Sequence, residues 1–237
     1  MGNKKKTPAT VYEFYGSPGA GKTYVARQLV SRSLPDSELV SFHGQKRHHR
    51  FLLKVLRVLR HPGILNGHFF TIFRIIKLHN PRPTEFIKLF YNMSFICGVM
   101  YKVNKGQTLV LDQGLVQAGW SNVYHGRTLP DIAVISKYYA RLIVQLRLQS
   151  FVVVRIRVSD DVVKERIHSR DHGDSPLDSG DGSWIRAQDA LSYMVRLTKS
   201  LEAACSVVCL VAIDNSGEGI DHNEIETIIL SRNARPA

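Results

Sequence analysis

At 237 residues, 44% of them apolar and 22% charged, the chain has the material for one α/β domain of ordinary size, and wholesale disorder is excluded. The formal charge of +12 is concentrated: from His43 to Lys88 ten basic residues (Lys46, Arg47, Arg50, Lys54, Arg57, Arg60, Arg74, Lys77, Arg82, Lys88) face one acid, Glu85, and six of the ten histidines lie there too. A field this lopsided points to an anionic partner, with a solvated basic face as the competing reading.

The stretch from Met1 to Thr10 carries Lys4, Lys5 and Lys6 with no apolar run behind them, so a secretory signal is not expected. Lys6 also stands where a myristoylation motif starting at Gly2 wants Ser or Thr. No apolar run reaches the ~18 uncharged residues of a membrane span, so a soluble or at most peripheral protein is expected. Val11 to Tyr15 reads as a strand ending at Gly16, and Thr23 to Leu34 as a helix stopped by Pro35. Glu38 to Phe42 reads as a short strand. From about Arg47 to Val103 the period turns helical, with Phe51, Leu52, Val55, Leu56 and Leu59 on one face and Arg50, Lys54, Arg57 and His61 on another. Pro62-Gly63 breaks that helix, Pro81-Arg82-Pro83 ends the next, and Phe86 to Tyr101 makes a third.

Gln107 to Leu111 is a buried strand closing on Asp112. Pro130 to Gln149 is helical, opened by Pro130 and Asp131. Phe151 to Val158 is dense in β-branched residues and reads as a strand, after which Ser159 caps a helix through His168. Asp171 to Ser183 is a polar loop, Trp184 to Ala204 a helix, Val207 to Ile213 a strand, and Glu218 to Leu230 the last helix. The cysteines Cys97, Cys205 and Cys209 form no zinc pattern, and their odd number suits free thiols in a reducing, cytoplasmic setting. Cys205 and Cys209 read as small core residues. Strands alternating with helices give an α/β fold: a roughly five-stranded parallel sheet with helices on both faces. One domain spans 1–237, with a basic helical insert at 44–106, between the second and third strands, and a lid-like loop at 171–183. The insert is expected above the carboxyl edge of the sheet.

The chemistry is concentrated in Gly16-Ser17-Pro18-Gly19-Ala20-Gly21-Lys22-Thr23, a full match to G-x-x-x-x-G-K-[ST] with a strand before it and a helix after it. The glycines let successive N–H groups face a phosphate, and the helix N-terminus adds its positive dipole end. In such a P-loop Lys22 reaches the β- and γ-phosphates of a nucleoside triphosphate, and the Thr23 hydroxyl ligates Mg²⁺. Leu109-Val110-Leu111-Asp112 has the form of a Walker B strand, delivering a carboxylate that can hold Mg²⁺ or take a proton from a substrate hydroxyl. Arg166 and Arg170 are i,i+4 on one helical face and can point at one anion, a pairing that suits a transferring phosphoryl group. The bland alternative is surface pairing with Asp161, Glu165 or Asp171.

Asp112-Gln113-Gly114, together with the run from Val158 to Arg170, resembles the corresponding segments of thymidylate-kinase-like and related nucleoside and nucleotide kinases of the P-loop class. The resemblance implies ATP and Mg²⁺ as cofactors and a catalytic set of Lys22, Asp112, Arg166 and Arg170. It implies that Gly16 to Thr23 hold the nucleotide, that Thr23 and Asp112 hold the metal, and that a lid closes over the site. It places Ile213-Asp214-Asn215 where similar kinases contact the base. The chain departs from the pattern in two places: Gln113 stands where nucleotide kinases put an Arg, and Ser41, Phe42 and His43 follow the second strand where several relatives keep a catalytic carboxylate.

His43 is a second candidate for acid–base work, and Trp120, Tyr124 and His125 are either lining of an acceptor pocket or packing. The function implied is an ATP-dependent phosphotransferase acting on a small, nucleoside- or glycan-type or anionic acceptor. The alternative is a P-loop ATPase or GTPase module acting with a partner or at a membrane surface. The basic helices keep peripheral contact with an anionic membrane open, whereas nucleic-acid binding is not expected because no such motif is present.

Overall fold

The computed structural model describes residues 10–41, 62–101, 107–169 and 181–217, together with 223, 225, 227 and 228. Five strands form one sheet in the order β2-β3-β1-β4-β5, and every neighbouring pair is parallel. They are β1 (Thr10–Tyr15), β2 (Glu38–Val40), β3 (Thr108–Leu111), β4 (Ser150–Arg157) and β5 (Val208–Asp214). The helices are α1 (Lys22–Ser33), α2 (Pro62–Leu78), α3 (Pro83–Tyr101), α4 (Leu115–His125), α5 (Ile132–Gln145), α6 (Asp160–His168) and α7 (Asp181–Ala204).

The central strand β1 is buried along its whole length, and its alternation divides the core. Val11 and Tyr15 pack on the face covered by α2, α3, α4, α5 and α7, whereas Tyr12 and Phe14 pack with Val25, Ala26 and Leu29 of α1 on the other. Ile225 and Ile228 join the α1 side, and they fall within the helix expected at 218–230. The apolar, β-branched run of β4 suits a strand covered on both faces.

Most element bounds match the sequence reading to within a few residues, and the deviations have local causes. The expected helix 130–149 is shorter: Asp131 is its N-cap, accepting from the Val134 N–H at 3.1 Å, and Arg147 at φ 53 lies beyond its end. α7 begins at Asp181, three residues before Trp184. The rest of the expected lid-like loop, 171–180, lies outside the described residues. The helix α4 was not foreseen at all. Its Gly119 and three polar residues, Gln117, Ser121 and Asn122, blur the apolar period.

Of the insert, α2 and α3 are described, while 44–61 and 102–106 lie outside. Pro62 opens α2, where its missing N–H costs nothing. Ile72, Ile75 and Ile76 of α2 and Leu89 and Met93 of α3 share one core with Val11, Leu109 and Tyr139. These two helices are therefore built into the helical layer on that face of the sheet. The carbonyl of His79, just past α2, accepts from Arg127 and Thr128 at 2.8 and 3.2 Å and ties this layer to the end of α4. Cys97 and Cys205 are buried and free, as small core residues are; burial pushes the Cys97 thiol up to about 12.

Candidate functional site

The P-loop turns between β1 and α1. Gly19 and Gly21 have φ of 87° and 85°, left-handed values that glycine adopts without a Cβ penalty. Gly21 has a second reason to lack a side chain: a Cβ there would lie 2.5 Å from Nδ2 of Asn215. The Ala20 N–H donates to the Ser17 carbonyl at 3.1 Å, and Gly21 then caps α1, so the N-terminus of the helix opens onto the loop. Lys22 folds back over the same loop, its Nζ donating to the carbonyls of Gly16 at 3.1 Å and Ser17 at 2.9 Å. Backbone amides, a helix N-terminus and an ammonium group thus converge on one side of the turn, an arrangement that suits an anion.

Strand order brings the second half of the site alongside. Because β3 lies between β1 and β2, with Glu13 in register with Leu111, Asp112 emerges next to the P-loop. The Asp112 side chain is fully buried. Its Oδ2 accepts from the Thr23 hydroxyl at 2.9 Å and from the Ser41 hydroxyl at 2.6 Å. Its Oδ1 is buried with no hydrogen-bond partner among the described residues. A buried carboxylate oxygen left over by the protein is fit to meet a ligand, and a carboxylate with two hydroxyls at a helix N-terminus is a hard oxygen donor set. The donor set of Thr23 and Asp112 therefore fits the hard oxygen ligands that Mg²⁺ takes.

Glu13 was not anticipated as a site residue. It lies in the central strand, fully buried, with its carboxyl at the N-terminus of α4: the Gln117 N–H donates to Oε1 at 2.8 Å. Burial raises its pKa to about 8, and the backbone amides of Gln117, Val116, Leu115 and Gly114 pull part of that back down. Gly114 must be glycine, because a Cβ there would collide with the Glu13 carboxyl. Gln117 continues the chain of contacts, its Oε1 accepting from the Gly16 N–H at 3.4 Å. The signal available in the sequence was one acid inside the otherwise apolar, doubly covered strand Thr10–Tyr15.

The helix α6 packs on the loop from the other side. Val163 and Ile167 close over Gly19, and Arg166 is brought to the P-loop, its Nη1 lying 3.9 Å from where a Cβ on Gly21 would stand. The Arg166 Nη2 donates to the Gly217 carbonyl at 3.4 Å. Lys164 on the same helix sits over the Trp184 ring at 5.5 Å, which ties α6 to α7. Asn215, at the end of β5, is buried and donates through Nδ2 to the Ala20 carbonyl at 2.8 Å, so it braces the loop backbone. The sequence had marked Ile213-Asp214-Asn215 only as a place where base contacts occur. Lys22, Thr23, Asp112 and Arg166 are thus brought together, whereas Arg170 and His43 lie outside the described residues. Trp120 and Tyr124 stack at 5.1 Å inside the core, with Trp120 Nε1 donating to the Ala187 carbonyl at 3.3 Å. His125 is half-buried near Glu85, 3.8 Å away.

No family model matches the chain, and no curated protein matches it. Solved structures do. The deoxyadenosine kinase from M. mycoides with bound dATP superposes with a TM-score of 0.52 at 14% identity, over 94% of this chain and 100% of that one. The same kinase with products dCMP and a flexible dCDP bound gives a TM-score of 0.50 at 15% identity, over 94% and 99%. At this identity the likeness concerns the path of the backbone, and it extends over nearly the whole length of both chains. The chain has the fold of the P-loop nucleoside kinases.

Proposed function

We propose that the protein is a nucleoside-triphosphate-dependent kinase that transfers the γ-phosphoryl group of ATP to a hydroxyl of a small acceptor. The observation that carries this reading is the contact between the P-loop and the end of β3: the Thr23 hydroxyl and the Asp112 carboxylate meet at 2.9 Å beside the N-terminus of α1. In this reading the loop amides and the α1 N-terminus bind the phosphates, and Lys22 leaves the carbonyls of Gly16 and Ser17 to meet the β- and γ-phosphate oxygens. Thr23 and Asp112 would hold Mg²⁺, which neutralises charge on the phosphate oxygens when bound. Arg166 adds a guanidinium where negative charge gathers as the phosphoryl group moves. Asp112 also stands where it can orient, or take the proton from, the attacking hydroxyl.

The nearest acceptors to consider are nucleosides, since the M. mycoides kinase of the same fold is named for deoxyadenosine. Gln113 in place of an Arg, and Ser41 in place of a carboxylate, argue for widening the set to glycan-type and anionic acceptors. The reading is tested with γ-labelled ATP and a panel of nucleosides and sugars, comparing the wild type with Lys22→Ala. Label should appear in one acceptor class, and Lys22→Ala should abolish the transfer with the fold intact, since Lys22 is partly exposed at a loop edge. Release of bare phosphate with every acceptor would instead support a hydrolysing P-loop module. Full transfer by Lys22→Ala would overturn the kinase reading.

A further inference from the structure

The outer face of α2 and α3 departs from what an ordinary solvated surface offers. Phe70 is 71% exposed, Phe69 and Phe73 are each 38% exposed, and Ile87 on α3 is 53% exposed. The rings form a continuous ladder across the two helices: Phe69 meets Phe90 at 5.0 Å and Phe73 meets Phe86 at 5.3 Å, with Phe86 and Phe90 stacked. Single exposed apolar residues need no explanation, but several contiguous aromatics do.

Cations are interleaved with this ladder. Arg74 and Lys77 follow Phe70 at helical spacings of four and seven, on the same outward arc, and both are exposed. Arg82 and Lys88 are exposed as well. The one acid on these two helices, Glu85, is bonded to Lys88 at 2.7 Å. Aromatic rings beside long cationic side chains match the two layers of a bilayer surface: the rings suit the headgroup–acyl boundary, and the cations reach the phosphates. A second copy of this chain fits the face poorly, because Arg74, Lys77, Arg82 and Lys88 stand here against one acid, Glu85, and two such faces would repel.

We propose that this face of α2 and α3 docks on an anionic lipid bilayer, with Phe69, Phe70 and Phe73 at the interface and Arg74, Lys77 and Arg82 on lipid phosphates. The proposal is independent of the kinase reading. It is tested with the full chain and sedimented vesicles of phosphatidylcholine, alone or with about 30% phosphatidylglycerol, at low and high salt. The wild type should bind only the anionic vesicles and should leave them as salt is raised. Arg74→Gln/Lys77→Gln should bind about 30-fold more weakly, at about fivefold per cation. Phe70→Ser should also release the protein, and both variants should unfold at the wild-type temperature because the changed side chains are exposed. Phe70→Trp should show a blue-shifted tryptophan emission with anionic vesicles alone. Absence of wild-type binding, or binding that neither variant weakens, would overturn the proposal. So would a dimer in sedimentation equilibrium that Phe70→Ser dissociates, which would assign the face to a second copy.

Discussion

The backbone N–H of Gln117 donates to the Glu13 carboxyl at 2.8 Å, so a side chain of the central strand closes the N-terminus of the helix that follows Asp112. This contact fixes Gly114 and Gln117 relative to the P-loop, and through them the exit of β3.

That contact makes a prediction about pH. Burial holds the Glu13 pKa at about 8 in the folded chain, against 4.5 as its ordinary value. The folded protein keeps a proton that the unfolded chain gives up, so the stabilisation is complete below the unfolded value and is lost as pH rises toward the folded one. A displacement of this size corresponds to at most about 5 kcal/mol. Glu13→Gln keeps a carbonyl acceptor for Gln117 and removes the titration, so its stability should stay flat where that of the wild type falls. Urea unfolding of both proteins at several pH values between the two pKa values is the check, and parallel curves would refute the assignment.

A second prediction concerns the hydroxyls on Asp112. Asp112→Asn should lower phosphoryl transfer by about 10²-fold or more, with nucleotide affinity less affected. Ser41→Ala removes the 2.6 Å donor and leaves Thr23 as the other partner of Oδ2. A lost hydrogen bond to a charged group is worth roughly 2 kcal/mol, so transfer should fall by about 30-fold. Steady-state transfer and equilibrium nucleotide binding measured on both variants separate the two effects. If Ser41→Ala leaves transfer unchanged, the hydroxyl is only a neighbour.

A third prediction tests the brace on the loop. Asn215→Ala leaves the Ala20 carbonyl without its 2.8 Å donor, which should cost about 1–2 kcal/mol and weaken nucleotide binding by about 10-fold. Gly21→Ala is expected to be worse, because the new Cβ meets Asn215 Nδ2 and the φ of 85° disfavours any side chain. Calorimetric titration with ATP and thermal unfolding read the two costs. Wild-type affinity in Asn215→Ala would show that the loop holds its shape unaided.

The strands, the P-loop and the Asp112 strand end were legible in the sequence because each depends on local signals. Glycine spacing, apolar runs and proline stops are written within a few residues of the element they set. Ser41, Glu13 and Gln117 were not legible, because each works through a partner distant in sequence. Ser41 reaches Asp112 across 71 positions and Gln117 reaches Gly16 across 101. Nothing in the run around Glu13 says that a helix begins above it. The helix α4 was missed for a related reason: its polar residues Gln117 and Asn122 are buried and face the core, which breaks the apolar rhythm that marks a helix. Trp120 and Tyr124 left pocket and packing open in the sequence, and the structure buries both in the core, stacked on each other.

The bond from Asn215 to Ala20 joins residues 195 positions apart, and its donor sits at the tip of β5, the outermost strand on the β4 side. During synthesis the P-loop turn therefore leaves the ribosome long before the side chain that braces it. A nascent chain that has finished α1 carries the whole motif from Gly16 to Thr23 but not the strand that holds its bend. If the loop binds nucleotide as proposed, its full affinity is reached only when the sheet is complete, and a chain ending before Asn215 should bind ATP more weakly than the whole one.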